Sequence, residues 1–322
     1  MEYVNFGKAG VKVSPLALGL GFRRQSDSIA AQRVIEHAIG LGINFIDCAN
    51  VYSVGTNQDG IVHAETVLGK ALRGKRDDVV ITTKAASSVG SGPNDAGSSR
   101  YHIMREVERS LKRLNTDHID VYLIHVSDES TPLEETIRAL DDLVRAGKVR
   151  YIGCCNYEDS WRICKALWIA DKINATPYMC IQNQYSLLNR SLEREIFALV
   201  REEGLGVMVY SPLGVGLLSG VNSPESYPPE ALWANRNPRL EYGRSIQEAV
   251  NSVISSVKQL AGELGKTPAQ LGLAWVLSHP EITAAIIGCD TMDQVTENVG
   301  ALGWTLDDSV REKLDAVSAP LT

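Results

Sequence analysis

IDVYLIHVSDESTPLEETIRALDDLVRAGKVRYIGCC, residues 119–155, reads as one strand–helix–strand unit. Its ends, IDVYLIH (119–125) and RYIGCC (150–155), are short runs that are apolar on both faces. That pattern marks strands of a parallel sheet covered by helices, not strands with one wet face. Between them LEETIRALDDLVRA (133–146) spaces its apolar residues as a helix does. Pro132 stands at the helix start, where a missing N–H costs nothing, and Gly147 supplies a left-handed stop.

The same punctuation continues in both directions. LALGL (16–20), NFID (44–47), VVITTK (79–84), YMCIQ (178–182), GVMVYS (206–211) and AAIIG (284–288) complete a set of eight strands. Helices are predicted over 28–41, 99–114, 158–171, 191–203 and 291–300, and Pro268 marks a further helix start. Gly42 and Gly204, like Gly147, each follow a helix and precede a strand. Eight strands alternating with helices predict an α/β chain folded as a (β/α)8 (TIM) barrel, one domain over 1–322. A doubly wound sheet would need a glycine-rich phosphate loop after the first strand. The text there is GLGFRRQSD, in which Gly19 and Gly21 have no third glycine or alanine at the required spacing. Three additions to a minimal barrel are expected. These are a β-hairpin over 2–14 turning at Gly7–Gly10, a long Pro/Gly/Ser/Asn/Arg-rich loop over 213–245, and a final helix over 307–319.

Composition narrows the function. The 322 residues are 44% hydrophobic and 22% charged, which excludes a disordered or scaffold-like charged chain. The net charge of −7 argues against a nucleic-acid footprint. No apolar run approaches the roughly 18 residues of a membrane span. The opening MEYVNFGKAG lacks the basic and apolar regions of a signal peptide, so a cytoplasmic location is expected. Six cysteines (48, 154, 155, 164, 180 and 289) include no CxxC pair and read as reduced thiols, five of them in apolar text. No metal is expected.

In a barrel of this kind the strand C-termini face the site. Asp47 after NFI, Lys84 after VVITT and His125 after IDVYLI each end an apolar strand with a titratable group, and Tyr52 follows Asp47 by five residues. Together they make a coherent proton-transfer site. The ammonium of Lys84 is expected to lower the pKa of the Tyr52 phenol, Asp47 to hold the lysine, and His125 to hydrogen-bond a substrate carbonyl.

These residues carry a resemblance. DxxxxY, a strand-ending TK and a strand-ending IH resemble the aldo-keto reductase superfamily. The likeness extends through FGKAGVKVSPLALG (6–19), SLKRLNTDHIDVYLIH (110–125), LDDLVRAGKVRYIG (140–153), YSPLGVGLLSG (210–220) and TPAQLGLAWVLSHPEITAAIIGCDTMDQVTENVGAL (267–302). The segments look most like a bacterial branch related to potassium-channel β-subunits and to sugar or general-stress reductases. The resemblance implies an NAD(P)(H)-dependent oxidoreductase acting on an aldehyde, ketone or sugar carbonyl, with Tyr52 as general acid/base partnered by Asp47, Lys84 and His125. It leaves two alternatives, oxidation of a sugar or alcohol with NAD and a dinucleotide-sensing regulatory subunit. Oligomeric state is not legible.

It also implies a dinucleotide site. Asn156 and Gln182 match the pair that holds the nicotinamide carboxamide, and Cys155 stands where a Ser or Thr is expected. Tyr210 matches the aromatic under the nicotinamide. The following SPLGVGLLSG, with Ser211, Leu213, Gly216 and Ser219, would wrap the pyrophosphate. Gly288, Asp290, Thr291, Gln294 and Asn298 match the adenosine end. The resemblance puts NADP(H) ahead of NAD(H). Against that, Asp290 would repel a 2′-phosphate and could instead accept bonds from a ribose hydroxyl, and Val221 replaces a lysine of many relatives. Arg236, Arg239 and Arg244 could compensate. The small-molecule substrate would meet Phe22, Val126, Tyr157 and Trp233. The loop AASSVGSGPNDAGSSR (85–100) reads as a mobile surface loop, the alternative being a wall of the substrate pocket.

Overall fold

In a computed structural model, residues 1–22, 25–55, 62–220 and 244–321 are described. Eight parallel strands close into a barrel. They are β1 (Leu16–Gly19), β2 (Phe45–Asp47), β3 (Val80–Ala85), β4 (Ile119–Ile124), β5 (Val149–Cys155), β6 (Cys180–Gln184), β7 (Gly206–Tyr210) and β8 (Ala284–Gly288). Each pairs with the next in sequence, and β8 closes on β1 through Ala285↔Leu16 to Gly288↔Gly19. All eight strands predicted from the sequence are present, their ends shifted by no more than two residues.

The helices lie outside: α1 (Ser28–Gly40), α2 (Ala64–Ala71), α3 (Arg100–Leu114), α4 (Leu133–Arg145), α5 (Ser160–Lys172), α6 (Ile196–Glu203), α7 (Arg244–Glu263), α8 (Pro268–Leu277), α9 (Met292–Val299) and α10 (Asp308–Ser318). α4 buries Ile137, Leu140 and Leu143 on one face. It ends as its sequence demands: Gly147 takes φ +71°, and the N–H of Lys148 reaches back to the carbonyl of Leu143 at 3.0 Å. The α2 and α7 segments were not foreseen. The predicted helix over 191–203 is instead a 3-10 turn, Ser191–Glu193, followed by α6. Of the expected long loop, 214–219 form a tight turn that is left-handed at Gly214, Val215 and Gly216, and α7 begins at Arg244. Val221, Trp233, Arg236 and Arg239 lie outside the described residues.

Two apolar layers hold this arrangement. The larger lies between the outer faces of the strands and the helices. The smaller fills the barrel with Ala17, Phe45, Val121, Leu123, Met208 and Ile286, joined by Phe6 and Val13. Those last two belong to the hairpin, whose strands Val4–Asn5 and Lys12–Val13 pair antiparallel. Phe6 meets Phe45 edge-on at 5.2 Å, so the hairpin forms a floor under the barrel. Gly7 (φ +57°) sits so close to β7 that a Cβ there would lie 2.3 Å from the backbone N of Gly206. The floor occupies the N-terminal end of the strands and leaves the C-terminal end to the site. Five of the six cysteines are buried and only Cys164, on α5, is exposed; none forms a disulfide.

Candidate active site

Strand ends and one short loop bring Asp47, Tyr52, Lys84 and His125 together at the C-terminal mouth. Lys84 is fully buried, and its ammonium donates to Asp47 Oδ2 (2.8 Å), to the carbonyl of Cys48 (2.7 Å) and to the Tyr52 hydroxyl (3.3 Å). The other carboxylate oxygen, Asp47 Oδ1, accepts from Gln182 Nε2 at 2.7 Å. The Tyr52 ring stands edge-to-face against His125, with centroids 5.7 Å apart. The 48–52 loop is pinned from behind. Asn50 donates its backbone N–H to Lys84 O (3.3 Å) and its side-chain amide to the buried Glu106 (3.1 Å), while Tyr52 O accepts from Ala64 N (2.9 Å).

The electrostatics differ from expectation at one point. Burial alone would lower the Lys84 pKa, but the Asp47 carboxylate and the Tyr52 oxygen outweigh it and raise the pKa above the ordinary lysine value. Tyr52 was expected to be lowered by Lys84. Instead burial dominates and raises it above the ordinary value, with the nearby ammonium opposing and Asp47 reinforcing the rise. Removing a phenolate from water costs more here than Lys84 returns, so the phenol keeps its proton at neutral pH.

A cavity of about 470 Å³ opens on this group. Tyr52, His125, Asn156, Phe22 and Val126 line it, as do Gly21, Val51, Ser53 and Ser87, which sequence reasoning passed over. Ser87 was concealed in the 85–100 loop. Its position three residues past the strand-ending Lys84 was the available signal. That loop is anchored: the Asp128 carboxylate accepts from Ser98 N (2.8 Å), and Thr136 Oγ1 donates to Ser98 O (2.9 Å). Tyr157 does not belong to the pocket. The residue is 2% exposed and its ring packs edge-on against Tyr178, because the chain turns inward after Asn156.

The expected cofactor residues cluster at the ends of β5 to β8. Asn156, at φ +60°, donates to His125 O (2.8 Å) and to Cys155 Sγ (3.2 Å), and its Oδ1 accepts from the Tyr210 hydroxyl (2.8 Å). The Cys155 thiol, pushed up to about 12 chiefly by burial, stays protonated and lies 3.6 Å from Gln182 Oε1. After Tyr210 the backbone is left-handed at Ser211, Gly214, Val215, Gly216 and Gly220. Val215 at φ +58° is unusual for a β-branched residue, and such outliers gather at ligand sites. The turn is closed from within, Gly214 N donating to Ser211 O (2.9 Å) and Leu218 N to Leu213 O (3.1 Å). Leu213 O accepts from Gly216 N (3.0 Å), and Ser219 Oγ donates to Gly216 O (2.6 Å). On the neighbouring strand Gly288 is exposed, and a Cβ there would meet nothing within 4 Å. A flat ring, a tight glycine-rich turn and an open strand end on adjacent strands fit an extended dinucleotide.

At the adenosine end two side chains have other duties. Gln294 Oε1 accepts from the backbone N–H groups of Asp290 (2.7 Å) and Thr291 (3.3 Å), and Thr291 Oγ1 accepts from Gln294 N (3.3 Å), a capping box for α9. Asn298 is 6% exposed and donates to Cys289 Sγ at 3.3 Å, so it faces inward rather than lying on an open helix face. Asp290 is half-buried, its carbonyl bound by Gln25 Nε2 at 3.0 Å. Among the described residues no group of His, Cys, Asp or Glu could hold a metal ion, and no helix is long and apolar enough to cross a membrane.

A family model described as the Aldo/keto reductase family matches residues 15–319. Among curated proteins, "Uncharacterized oxidoreductase YrpG" of Bacillus subtilis is 38% identical over 98% of this chain and 96% of its own. "Probable voltage-gated potassium channel subunit beta" of Arabidopsis thaliana is 35% identical over 94% and 91%. "Protein tas" of Escherichia coli is 32% identical over 98% and 97%.

Proposed function

Because this chain belongs to the aldo/keto reductase family and is an NAD(P)H-dependent oxidoreductase of small carbonyl compounds, we propose that it reduces an aldehyde, ketone or sugar carbonyl with Tyr52 as the proton donor. The observation that carries this reading is the Tyr52 hydroxyl at the pocket, 3.3 Å from a buried ammonium that is itself 2.8 Å from a buried carboxylate. When bound, the nicotinamide supplies the hydride. Tyr52 hands its proton to the oxygen that becomes an alkoxide, and Lys84 stabilises the phenolate left behind. Asp47 offsets the desolvation of Lys84, and His125 orients the carbonyl oxygen. Asn156 and Gln182 are assigned to the carboxamide, with the Cys155 thiol in contact with both. Tyr210 is assigned to the nicotinamide face, and Ser211, Leu213, Gly216 and Ser219 to the pyrophosphate through their turn. Gly288, Asp290, Thr291, Gln294 and Asn298 frame the adenosine end. Residues 1–322 act as one unit in this reading.

NADP(H) is the working cofactor, and the half-buried Asp290 makes the case for NAD(H). The experiment is reduction of 4-nitrobenzaldehyde and a panel of sugars with NADPH and with NADH, by wild type and Tyr52→Phe. The variant should lose about 10²- to 10⁴-fold in kcat with dinucleotide binding kept. Unchanged turnover overturns the tyrosine as donor, and a more than tenfold preference for NADH overturns NADP(H). Similarity to proteins named as potassium-channel β-subunits supports a second reading, a dinucleotide sensor. Tight dinucleotide binding with no turnover in either direction would favour it. The same residues run in reverse would oxidise an alcohol with NAD, and turnover in that direction alone would favour that alternative.

A further inference from the structure

Ser87 has a relation to His125 that neither the tetrad nor the cofactor site uses. Its Oγ lies 3.1 Å from His125 Nδ1, and both residues line the pocket. The segment carrying Ser87 is tied to the histidine's own backbone, since His125 N donates to Ala85 O at 2.8 Å. The next residue, Ala86, sits at φ +85°, a conformation a non-glycine residue keeps only where its surroundings enforce it. The Ala86 carbonyl is in turn held by Gly97 N at 2.9 Å, beside the anchored Ser98. Backbone strain is therefore maintained at the one residue that aims Ser87 at the ring. Among the described residues, Nδ1 is the one hydrogen-bond partner of the Ser87 hydroxyl.

We propose that Ser87 is a positioning residue for this reaction, donating its hydroxyl proton to His125 Nδ1 and so fixing the neutral ring with its own proton on Nε2. The inference rests on the reading of the site as a carbonyl reductase. The half-buried Ser87 hydroxyl has one proton to give, and Nδ1 is the ring atom within reach at 3.1 Å. An Nδ1 that accepts carries no hydrogen, so the proton resides on Nε2. Nε2–H can then donate to a carbonyl oxygen, whereas the other tautomer would turn a lone pair toward the oxygen lone pairs. No bond is made or broken by Ser87 or His125. The transferred proton remains that of Tyr52.

The test uses the full chain labelled with ¹⁵N-histidine, its His125 signals assigned with His125→Asn, alongside reduction of 4-nitrobenzaldehyde by NADPH. Wild type should show His125 protonated at Nε2 and not at Nδ1. Ser87→Ala should shift the ring toward the other tautomer and lower kcat about tenfold, the worth of one hydrogen bond, with the dinucleotide Kd unchanged. Ser87→Thr should restore both. A wild-type ring protonated on Nδ1, or a Ser87→Ala protein with unchanged tautomer or unchanged kcat, overturns the proposal. Failure of the site reading is separable from these results. A wild type that reduces no carbonyl overturns Ser87's part in catalysis together with that reading, even with the ring as expected. A Tyr52-dependent reductase with the wrong tautomer overturns the Ser87 inference alone.

Discussion

Tyr52 is pulled two ways, and the balance decides how its proton behaves. Burial disfavours the phenolate and raises the pKa, Lys84 at 3.3 Å favours it, and burial prevails. The spacing of Asp47, Tyr52 and Lys84 identified the partners, but a sequence carries no measure of desolvation, so the sign of the shift was out of reach. Burial hid two further features for the same reason: Tyr157 follows Asn156 directly yet faces the core, and Asn298 is buried against Cys289 rather than on an open helix face. For Ser87 the sequence offered its distance from Lys84 but not its aim at His125, which follows from an alanine held at φ +85°. For Tyr52 the sign fixes a pH profile. In the proposed mechanism reduction needs the protonated phenol, which is lost only as pH rises through a pKa above the usual value of about 10. The reductive kcat with 4-nitrobenzaldehyde should therefore stay level from about pH 6 to 9, while oxidation, which needs the phenolate, climbs with pH. A reductive rate that halves near pH 7 would assign the proton to another group.

Among the elements, those with clear punctuation were legible. α4 has a proline before it and a glycine after it, and β1 to β8 are apolar on both faces. α2 was hidden because it has eight residues, no side-chain cap at His63 and a glycine in its middle. That Gly69 has a packing reason: a Cβ would lie 2.5 Å from the carbonyl of Leu114, so α2 and the end of α3 approach closely only without one. α7 escaped because it follows a tract whose composition reads as loop. In α9 the residues assigned above to the adenosine end also serve the element, since Thr291 and Gln294 build its first turn as a capping box. Thr291→Ala should lower the unfolding free energy by about 1 kcal/mol, the usual worth of such a cap, read as a lower urea midpoint. Thr267→Ala at the matching box of α8 is the control, and should cost as much with no change in dinucleotide Kd. No loss of stability in Thr291→Ala would mean the box contributes nothing to α9.

For the molecule as a whole, barrel closure joins residues at opposite ends of the chain, and the hairpin seals one end. Phe6 is fully buried under Phe45, and its ring reaches the spot where a Cβ on Gly206 would stand, 2.7 Å away. Phe6→Ala should cost about 3–5 kcal/mol in urea unfolding while leaving kcat within about twofold, because the cavity it opens lies at the far end from the mouth. A comparable loss of kcat with stability intact would show that the floor is coupled to the chemistry. The hairpin and the count of eight strands were readable because glycine placement and apolar runs are local, whereas the interior that joins them is a property of closure. The sealed floor also governs traffic of a kind that no strand reveals. Lys84 has no surface exposure, and among the described residues Tyr52 is the one of its three partners that lines the pocket. Isotope from the surrounding water can reach that buried nitrogen by way of the Tyr52 hydroxyl, which makes Tyr52 a gatepost between the interior of the barrel and the solvent.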